Sequence, residues 1–287
     1  MKYIDGRFLK TCPAVDRERL REKVLLNTDK GEEYVAYAPA GWEIIDYFNH
    51  GSQVHVSTVR PRKGNRNRLD GTEGRIYLLK NEHPRSLNGA RGALKCEMQV
   101  SHIVLKSFPE QKRKYAPKIP NVVEGCYYNS DPVRSYIIEE KSPGEWLTLD
   151  YFNSFSRTQQ KYILTEFAKS ICKLHFSLDP KYMKLSEFNV DRYGLHPFPV
   201  ERYPHEDEIV RYFSSPKLPL IHYDLAPANV LYDDRTKALT IIDFGRAGIS
   251  DRRIDFQRIR ANWDDKFVCA LMDKYRLTVG GIMKKWK

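Results

Sequence analysis

The feature that most constrains this chain is a pair of short apolar runs that carry polar side chains at set distances. The first run, LIHYDLAPANVLYDD, contains His222, Asp224 and Asn229. The second run, LTIIDFG, places Asp243 directly after four apolar or β-branched residues. The intervening VLYDDRTKALTII predicts a β-hairpin with its turn at 233–237, because two short β-prone runs flank a polar stretch. Since a hairpin brings its two ends together, we expect Asn229 and Asp243 to lie side by side.

These residue types are the ones that phosphoryl transfer from ATP requires. Mg²⁺ binds hard oxygen ligands and uses only one or two carboxylates, because it keeps water and phosphate oxygens. Asp243 is therefore the candidate main metal ligand, and Asn229 can present its amide oxygen to the same ion. Asp224 is the candidate that orients the hydroxyl group of the acceptor. His222 is interpreted as a structural brace, through a hydrogen bond from its side chain to the backbone.

The two runs resemble the catalytic and metal loops of the protein-kinase-like superfamily. More narrowly, HYDLAPANVLYDD followed by IIDFGRAGISDRRIDF resembles the aminoglycoside phosphotransferase and choline kinase branch, whose pattern Gly248, Asp251 and Asp255 complete here. Protein kinases instead carry an Ala-Pro-Glu tripeptide further along, and none follows Gly245. Tyr223 also stands where many protein kinases have arginine. The resemblance implies ATP and Mg²⁺ as cofactors, and it favours a small-molecule hydroxyl group as the phosphate acceptor.

Upstream residues extend the resemblance to the nucleotide site. Lys80 ends the run RIYLLK and matches the lysine that contacts the ATP phosphates. Glu97, on the following helix, matches the ion-pair partner of that lysine. The segment YIIEEKSPGEWL resembles the strand and hinge between the two lobes, where backbone groups from Glu139 to Lys141 would bind adenine.

Two further motifs follow from the same resemblance. The run NHGSQVHV corresponds to the phosphate loop, with Gly51 and Ser52 beside the phosphates. It has one glycine where protein kinases have three, and the phosphotransferase branch also has a relaxed loop. Asp251 and Asp255 are interpreted as residues that hold the catalytic segment in place.

The fold implied is α+β, with the two lobes of the protein-kinase-like architecture. A small lobe built on an antiparallel sheet precedes a larger, mainly helical lobe. We expect an N-terminal extension at 1–40, the small lobe at 41–141 and the C-terminal lobe at 142–287, with the hinge near 139–144.

Local patterns predict the elements of these lobes. β-Branched and aromatic residues predict strands at 41–48, 53–61 and 75–80, and two more around an Asn-Ser-Asp-Pro turn within 126–140. Apolar residues at helical spacing predict helices at 15–26, 92–108 and 156–179. The last of these helices has Ser156 as its candidate N-cap and a core-facing stripe of four residues, namely Ile163, Phe167, Ile171 and Leu174. We expect the C-terminal tail to be helical to about Tyr275.

Charge and composition bound the partners and the compartment. The net charge of +11 is compatible with a polyanionic partner or with a solvated basic surface, and several of the cations fall in RPRKGNRNR at 60–68. No run is long and apolar enough to span a bilayer, and the N-terminus has no apolar signal segment. The five cysteines form no CxxC pair. We therefore expect an intracellular, cytoplasmic protein with reduced thiols and no zinc site.

Three other functions remain open at the level of the sequence. A protein or nucleic-acid kinase is favoured by the net charge and by the Asp-Phe-Gly tripeptide. A pseudokinase that binds nucleotide with little turnover is favoured by the single-glycine loop, and opposed by the complete set of candidate catalytic residues. A basic RNA- or lipid-binding protein predicts an affinity that falls steeply with salt.

Overall fold

A computed structural model describes most of the chain outside its N-terminus. The described residues are 20–27, 33–50, 54–62, 76–82, 93–108, 116–126, 135–176, 219–249 and 252–285. The strands are β1 Leu20–Asn27, β2 Glu33–Pro39, β3 Trp42–His50, β4 Val54–Pro61, β5 Tyr77–Glu82, β6 Val122–Cys126, β7 Tyr136–Glu140, β8 Glu145–Trp146, β9 Leu220–Ile221, β10 Val230–Asp233, β11 Ala238–Ile241 and β12 Gly248–Ile249. The helices are α1 Ala93–Ser107, α2 Leu149–Asn153, α3 Arg157–Phe176, α4 Arg253–Asn262 and α5 Asp265–Lys285. No described helix is long and apolar enough to cross a membrane.

The described residues form two compact units. The first takes its residues from Met1–His102, Pro120–Ser142 and Phe244–Arg246, and the second from Ile103–Ile119, Pro143–Asp243 and Ala247–Lys287. The chain therefore passes between the units more than once, and one of these passages lies between Ser142 and Pro143.

The first unit contains an antiparallel sheet of five strands in the order β3-β4-β5-β7-β6. Successive side chains of a strand point to opposite faces, so the neighbours Ile137 and Ile138 on β7 enter different cores. Ile137 packs with α1 in a cluster that includes Leu94 and Met98. Ile138 packs with Trp42 and Tyr77 on the other face. Both faces of the sheet are therefore covered by apolar residues, and this packing holds β5 and β7 in place.

The second unit is built on α3 and the hairpin of β10 and β11. The four stripe residues of α3 are all fully or almost fully buried, as their spacing predicts. The hairpin pairs Val230 with Ile241 and Asp233 with Ala238, which leaves a turn at 234–237. Strand β8 pairs with the other side of β10. The predicted hairpin and the predicted helix are both confirmed.

Gly144 fixes the entry to β8. Its φ is +111°, and an added Cβ would lie 2.7 Å from the carbonyl carbon and oxygen of Tyr232. Only glycine adopts this conformation without strain, and only glycine leaves room for the close approach of the β10 backbone. The Ser-Pro-Gly turn therefore leads directly into β8, whose backbone pairs with β10.

Ser156 caps α3 through a reciprocal pair of hydrogen bonds. Its Oγ accepts from the backbone N–H of Gln159 at 3.3 Å, and the Gln159 Oε1 accepts from the backbone N–H of Ser156 at 3.2 Å. This arrangement is a capping box, and it satisfies two N–H groups that the helix itself leaves without partners. The N-cap predicted at Ser156 is confirmed.

Ser156→Ala is expected to lower the free energy of unfolding by about 1 kcal/mol, because it removes the acceptor of the capping box. The measurement is urea denaturation followed by circular dichroism. Ser156→Thr keeps the hydroxyl group and serves as the matched control, with a change of only a few tenths of a kcal/mol. An unchanged midpoint in the alanine variant would contradict the importance of this cap.

Several local predictions differ from the structure. The helix predicted at 15–26 is wrong, because 20–27 form β1, which pairs antiparallel with β2. An isolated helix of about a dozen residues is marginal, whereas pairing with β2 satisfies the backbone along the strand. The earlier of the two strands around the Asn-Ser-Asp-Pro turn begins at Val122 and not at 126. The tail helix continues past Tyr275, since α5 runs to Lys285.

Other predictions fall outside the described residues. These are most of the basic stretch 60–68 and the Asn-Ser-Asp-Pro turn, which falls within 127–134. The two phosphate-loop residues, Gly51 and Ser52, and the predicted positioning residue Asp251 also lie outside the described part of the chain.

Candidate active site

The segment that carries Asp224 is held between two short strand pairs. Strand β9 precedes it and pairs with β12, and a 3-10 turn at Pro227–Asn229 leads from it into β10. Tyr223 has a positive φ of 71°. Non-glycine residues in this conformation store strain and persist only where surrounding contacts hold them. The backbone around Asp224 is therefore held in a specific, strained shape.

His222 braces this segment through both ring nitrogens. Nδ1 accepts from the backbone N–H of Asp224 at 3.3 Å, and Nε2 lies 2.8 Å from the carbonyl oxygen of Ile242. Because a carbonyl only accepts, Nε2 carries the proton. The fully buried ring joins the Asp224 loop to the residue before Asp243. The side-chain-to-backbone hydrogen bond predicted for His222 is confirmed.

Asn229 and Asp243 lie at the two ends of the hairpin. The backbone N–H of Ile242 donates to the carbonyl oxygen of Asn229 at 3.0 Å, which places Asp243 one residue beyond this contact. The Asn229 Nδ2 donates to the carbonyl oxygen of Asp224 at 2.8 Å. This hydrogen bond engages the donor end of the amide and leaves Oδ1 to accept from, or bind to, another group. Asp224, Asn229 and Asp243 are therefore brought together by one hairpin and one loop.

The donor set at the hairpin ends fits a magnesium ion. Asp243 is exposed, has a φ of 61°, and within the described part of the chain its carboxylate makes no hydrogen bond or ion pair. A group of three or more His, Cys, Asp or Glu side chains that could hold a metal is absent from the described residues. Mg²⁺ does not need such a group, because one carboxylate and one amide oxygen suffice beside water and phosphate oxygens. Asp243 and the Oδ1 of Asn229 are the residues that could hold it.

Lys80 lies in a buried ionic cluster of the first unit. Its Nζ is 2.6 Å from Oε1 of Glu97 on α1 and 2.9 Å from Oε1 of Glu139 on β7. The three residues are 6%, 3% and 3% exposed, so water does little to screen these charges. The ion pair that the resemblance implies between Lys80 and Glu97 is present. Lys141, two residues after Glu139, is exposed.

A family model identifies this combination of loops. The model described as the phosphotransferase enzyme family, APH, matches residues 57–281. The chain belongs to this family. It is accordingly a phosphotransferase of the kinase type. Lys80, Glu97, Asp224, Asn229 and Asp243 all lie within the matched range. Among curated proteins, no relative of the chain is found by sequence.

Solved structures of the same architecture support the fold of this phosphotransferase. The GDP complex of wild-type aminoglycoside 2'-phosphotransferase-IIIa matches with a TM-score of 0.52 and 19% identity, over 81% of this chain and 77% of that one. The streptomycin–ATP ternary complex of APH(2")-IIa matches with a TM-score of 0.50 and 16% identity, over 82% and 78%. The ADP-bound APH(2'')-Ib matches with a TM-score of 0.51 and 15% identity, over 82% and 78%. The predicted α+β, protein-kinase-like fold is confirmed, whereas the comparisons give no support to a polyanionic partner.

Asp255, at the start of α4, holds the segment of the phosphotransferase that carries Asp224. Its Oδ1 accepts from the backbone N–H of Tyr223 at 2.7 Å, and its Oδ2 accepts from the backbone N–H of His222 at 3.0 Å. These two hydrogen bonds hold the backbone at Tyr223 in its strained conformation. The positioning role predicted for Asp255 is borne out by these contacts.

His175 is a residue whose role the sequence did not reveal. Its Nε2 lies 3.1 Å from Oδ2 of Asp255, and its Nδ1 lies 2.6 Å from the hydroxyl oxygen of Tyr275. Burial raises the pKa of Tyr275 well above its usual value, so the phenol keeps its proton and donates it to Nδ1. Nε2–H then donates to Asp255. The sequence feature that could have indicated this role is the position of His175. It lies four residues after Ile171 on the core-facing side of α3, where a buried polar group requires a hydrogen-bond partner.

Proposed function

We propose that this phosphotransferase moves the γ-phosphate of ATP to a hydroxyl group of a small molecule, with Mg²⁺ as cofactor. The observation that carries the proposal is the meeting of Asp224, Asn229 and Asp243 at one hairpin. Few other protein groups are needed, because the loose transition state of phosphoryl transfer leaves mainly positioning and charge stabilisation to the enzyme.

Each residue has a role that follows from its chemistry. Asp224 accepts a hydrogen bond from the acceptor hydroxyl and orients its oxygen toward the phosphorus. Asn229 and Asp243 hold the metal through one amide oxygen and one carboxylate. Bound Mg²⁺ would neutralise charge on the phosphate oxygens. As the resemblance implies, Lys80, held by Glu97, binds ATP phosphate oxygens together with Gly51 and Ser52. The backbone from Glu139 to Lys141 binds adenine.

The nature of the acceptor is supported by two lines of reasoning. No Ala-Pro-Glu tripeptide follows Asp-Phe-Gly, so the substrate-binding segment of protein kinases has no counterpart in the sequence. The solved relatives bind small molecules, since their structures include streptomycin and gentamicin complexes. Transfer of label from [γ-³²P]ATP into a pool of small metabolites, with none into a peptide library, is the expected result. Label found only in the peptides would contradict a small-molecule acceptor and would indicate a protein acceptor.

Asp243→Asn tests the nucleotide and metal assignment. ATP with Mg²⁺ is expected to raise the stability of the unaltered protein by about 2.7 kcal/mol at a hundredfold excess over Kd, because only the folded state binds. In Asp243→Asn the part of this gain that requires Mg²⁺ should vanish, since the amide is a weaker ligand for a hard cation. The measurement is thermal unfolding with ATP or GTP, each with and without Mg²⁺.

Asp273→Asn is the matched control for this experiment, because Asp273 is an exposed carboxylate on α5 outside the family motifs. It should behave as the unaltered protein does with every ligand. A full Mg²⁺-dependent gain in Asp243→Asn would remove Asp243 from the metal site. The absence of any gain with any nucleotide in the unaltered protein would refute the proposed activity itself.

A further inference from the structure

The second carboxylate beside Lys80 is the feature that the proposed function leaves unused. In the sheet register Leu78 lies opposite Glu139, and Lys80 lies opposite Ile137. Residues two apart on a strand share a face, so Glu139 projects from the same face as Lys80, on the diagonal between neighbouring strands. Long side chains reach across this diagonal, and the 2.9 Å contact between Nζ and Oε1 results.

Glu97 approaches the same ammonium group from the helix layer. It lies on α1, which packs on this face of the sheet through Leu94 and Met98. Lys80 is thus held by one carboxylate from the helix and by a second carboxylate from the neighbouring strand. One carboxylate is enough to orient and neutralise a lysine. The second must have a different consequence, because all three side chains are buried and their interactions are strong.

We infer that Glu139 competes with the nucleotide phosphates for the ammonium group of Lys80. This inference rests on the proposed role of Lys80 as a phosphate-binding residue. In the nucleotide-free protein the ammonium is shared by Glu97 and Glu139. When ATP binds, a phosphate oxygen replaces the Glu139 carboxylate at Nζ, while Glu97 keeps its contact. Glu139 is therefore a specificity-determining residue that weakens the binding of phosphorylated ligands and leaves the binding of the adenine moiety unaffected.

The electrostatic reason is the sign of the charge on the incoming group. A triphosphate brings negative charge to a lysine that already faces two carboxylates, and like charges at such short distances repel strongly in a buried site. Removing the charge of Glu139 removes this opposition. It also frees the ammonium group from the carboxylate that competes with the phosphates, and both effects raise the affinity for ATP.

Glu139→Gln tests the inference, because glutamine keeps the length and an acceptor oxygen but loses the charge. Titration calorimetry with Mg·ATP should show a Kd at least about tenfold lower than in the unaltered protein. Adenosine, which lacks phosphate, should bind both forms within about twofold. Asp273→Asn is the control, since it removes one carboxylate charge at an exposed residue outside the proposed nucleotide site. It should leave both affinities within about twofold.

The possible outcomes separate this inference from the proposed function. If ATP binds the unaltered protein and Glu139→Gln gives no gain, or if adenosine gains as much as ATP, competition by Glu139 is refuted and the kinase assignment stands. If ATP binds neither form, both are refuted.

A second measurement does not depend on the folding of the variant. In a crystal structure of the unaltered protein with Mg·ATP, Nζ of Lys80 should lie beyond about 4 Å from Glu139, the usual limit for an ion pair, and within that limit of Glu97. Retention of both carboxylate contacts with ATP bound would overturn the inference.

Discussion

Asp224→Asn is expected to lower kcat by about 10²- to 10⁴-fold, the range that a positioned acid–base group contributes. Asparagine has the shape of aspartate but carries no negative charge. It therefore does not take up the proton of the substrate hydroxyl group as the carboxylate does. His222 and Asn229 bind the main-chain N–H and carbonyl groups of Asp224, and these two hydrogen bonds do not depend on its carboxylate. The fold of the loop and the Mg²⁺-dependent stabilisation by ATP should therefore persist in this variant.

The measurement is a steady-state assay of phosphate transfer to the acceptor found by metabolite labelling, beside thermal unfolding with Mg·ATP. Asp234→Asn is the matched control, because Asp234 lies in the turn of the same hairpin and pairs with Lys237 near the surface. Its kcat should match that of the unaltered protein. A kcat for Asp224→Asn within tenfold of the unaltered value would remove Asp224 from the catalytic step.

The part of the site that could be predicted from the sequence is the part built from local contacts. The hairpin at 230–241 follows from two short β-prone runs and a polar turn, and its closure necessarily places Asn229 near Asp243. The buried face of α3 follows in the same way from helical periodicity. Neither prediction required knowledge of any residue distant in the chain.

The contacts that the sequence did not reveal join residues far apart. His175, Asp255 and Tyr275 lie on three different helices, and nothing in their spacing indicates that they meet. Glu139 was predicted to offer only its backbone, because the strand register that directs its side chain toward Lys80 depends on how β5 and β7 pair. Strand β1 was predicted as a helix for the same reason, since its partner β2 decides its conformation.

Asp255→Ala is expected to lower the free energy of unfolding by about 3–5 kcal/mol. The substitution leaves the backbone N–H groups of His222 and Tyr223 and the Nε2–H of His175 without their acceptor in a fully buried site. Each buried donor that loses its partner costs about 1–3 kcal/mol. Asp255→Asn should be nearly as damaging, because its amide nitrogen would face a donor where Asp255 offered an acceptor.

Urea denaturation of both variants, followed by circular dichroism, measures this loss, with Asp273→Asn as a control that should change by less than about 0.5 kcal/mol. The variants also show whether Asp255 affects catalysis in addition to stability. Because Asp255 fixes the positive φ of Tyr223 next to Asp224, a variant that still folds should lose kcat while keeping its affinity for Mg·ATP. A loss of less than about 1 kcal/mol, with unchanged kcat, would mean that the strained segment is held by His222 alone.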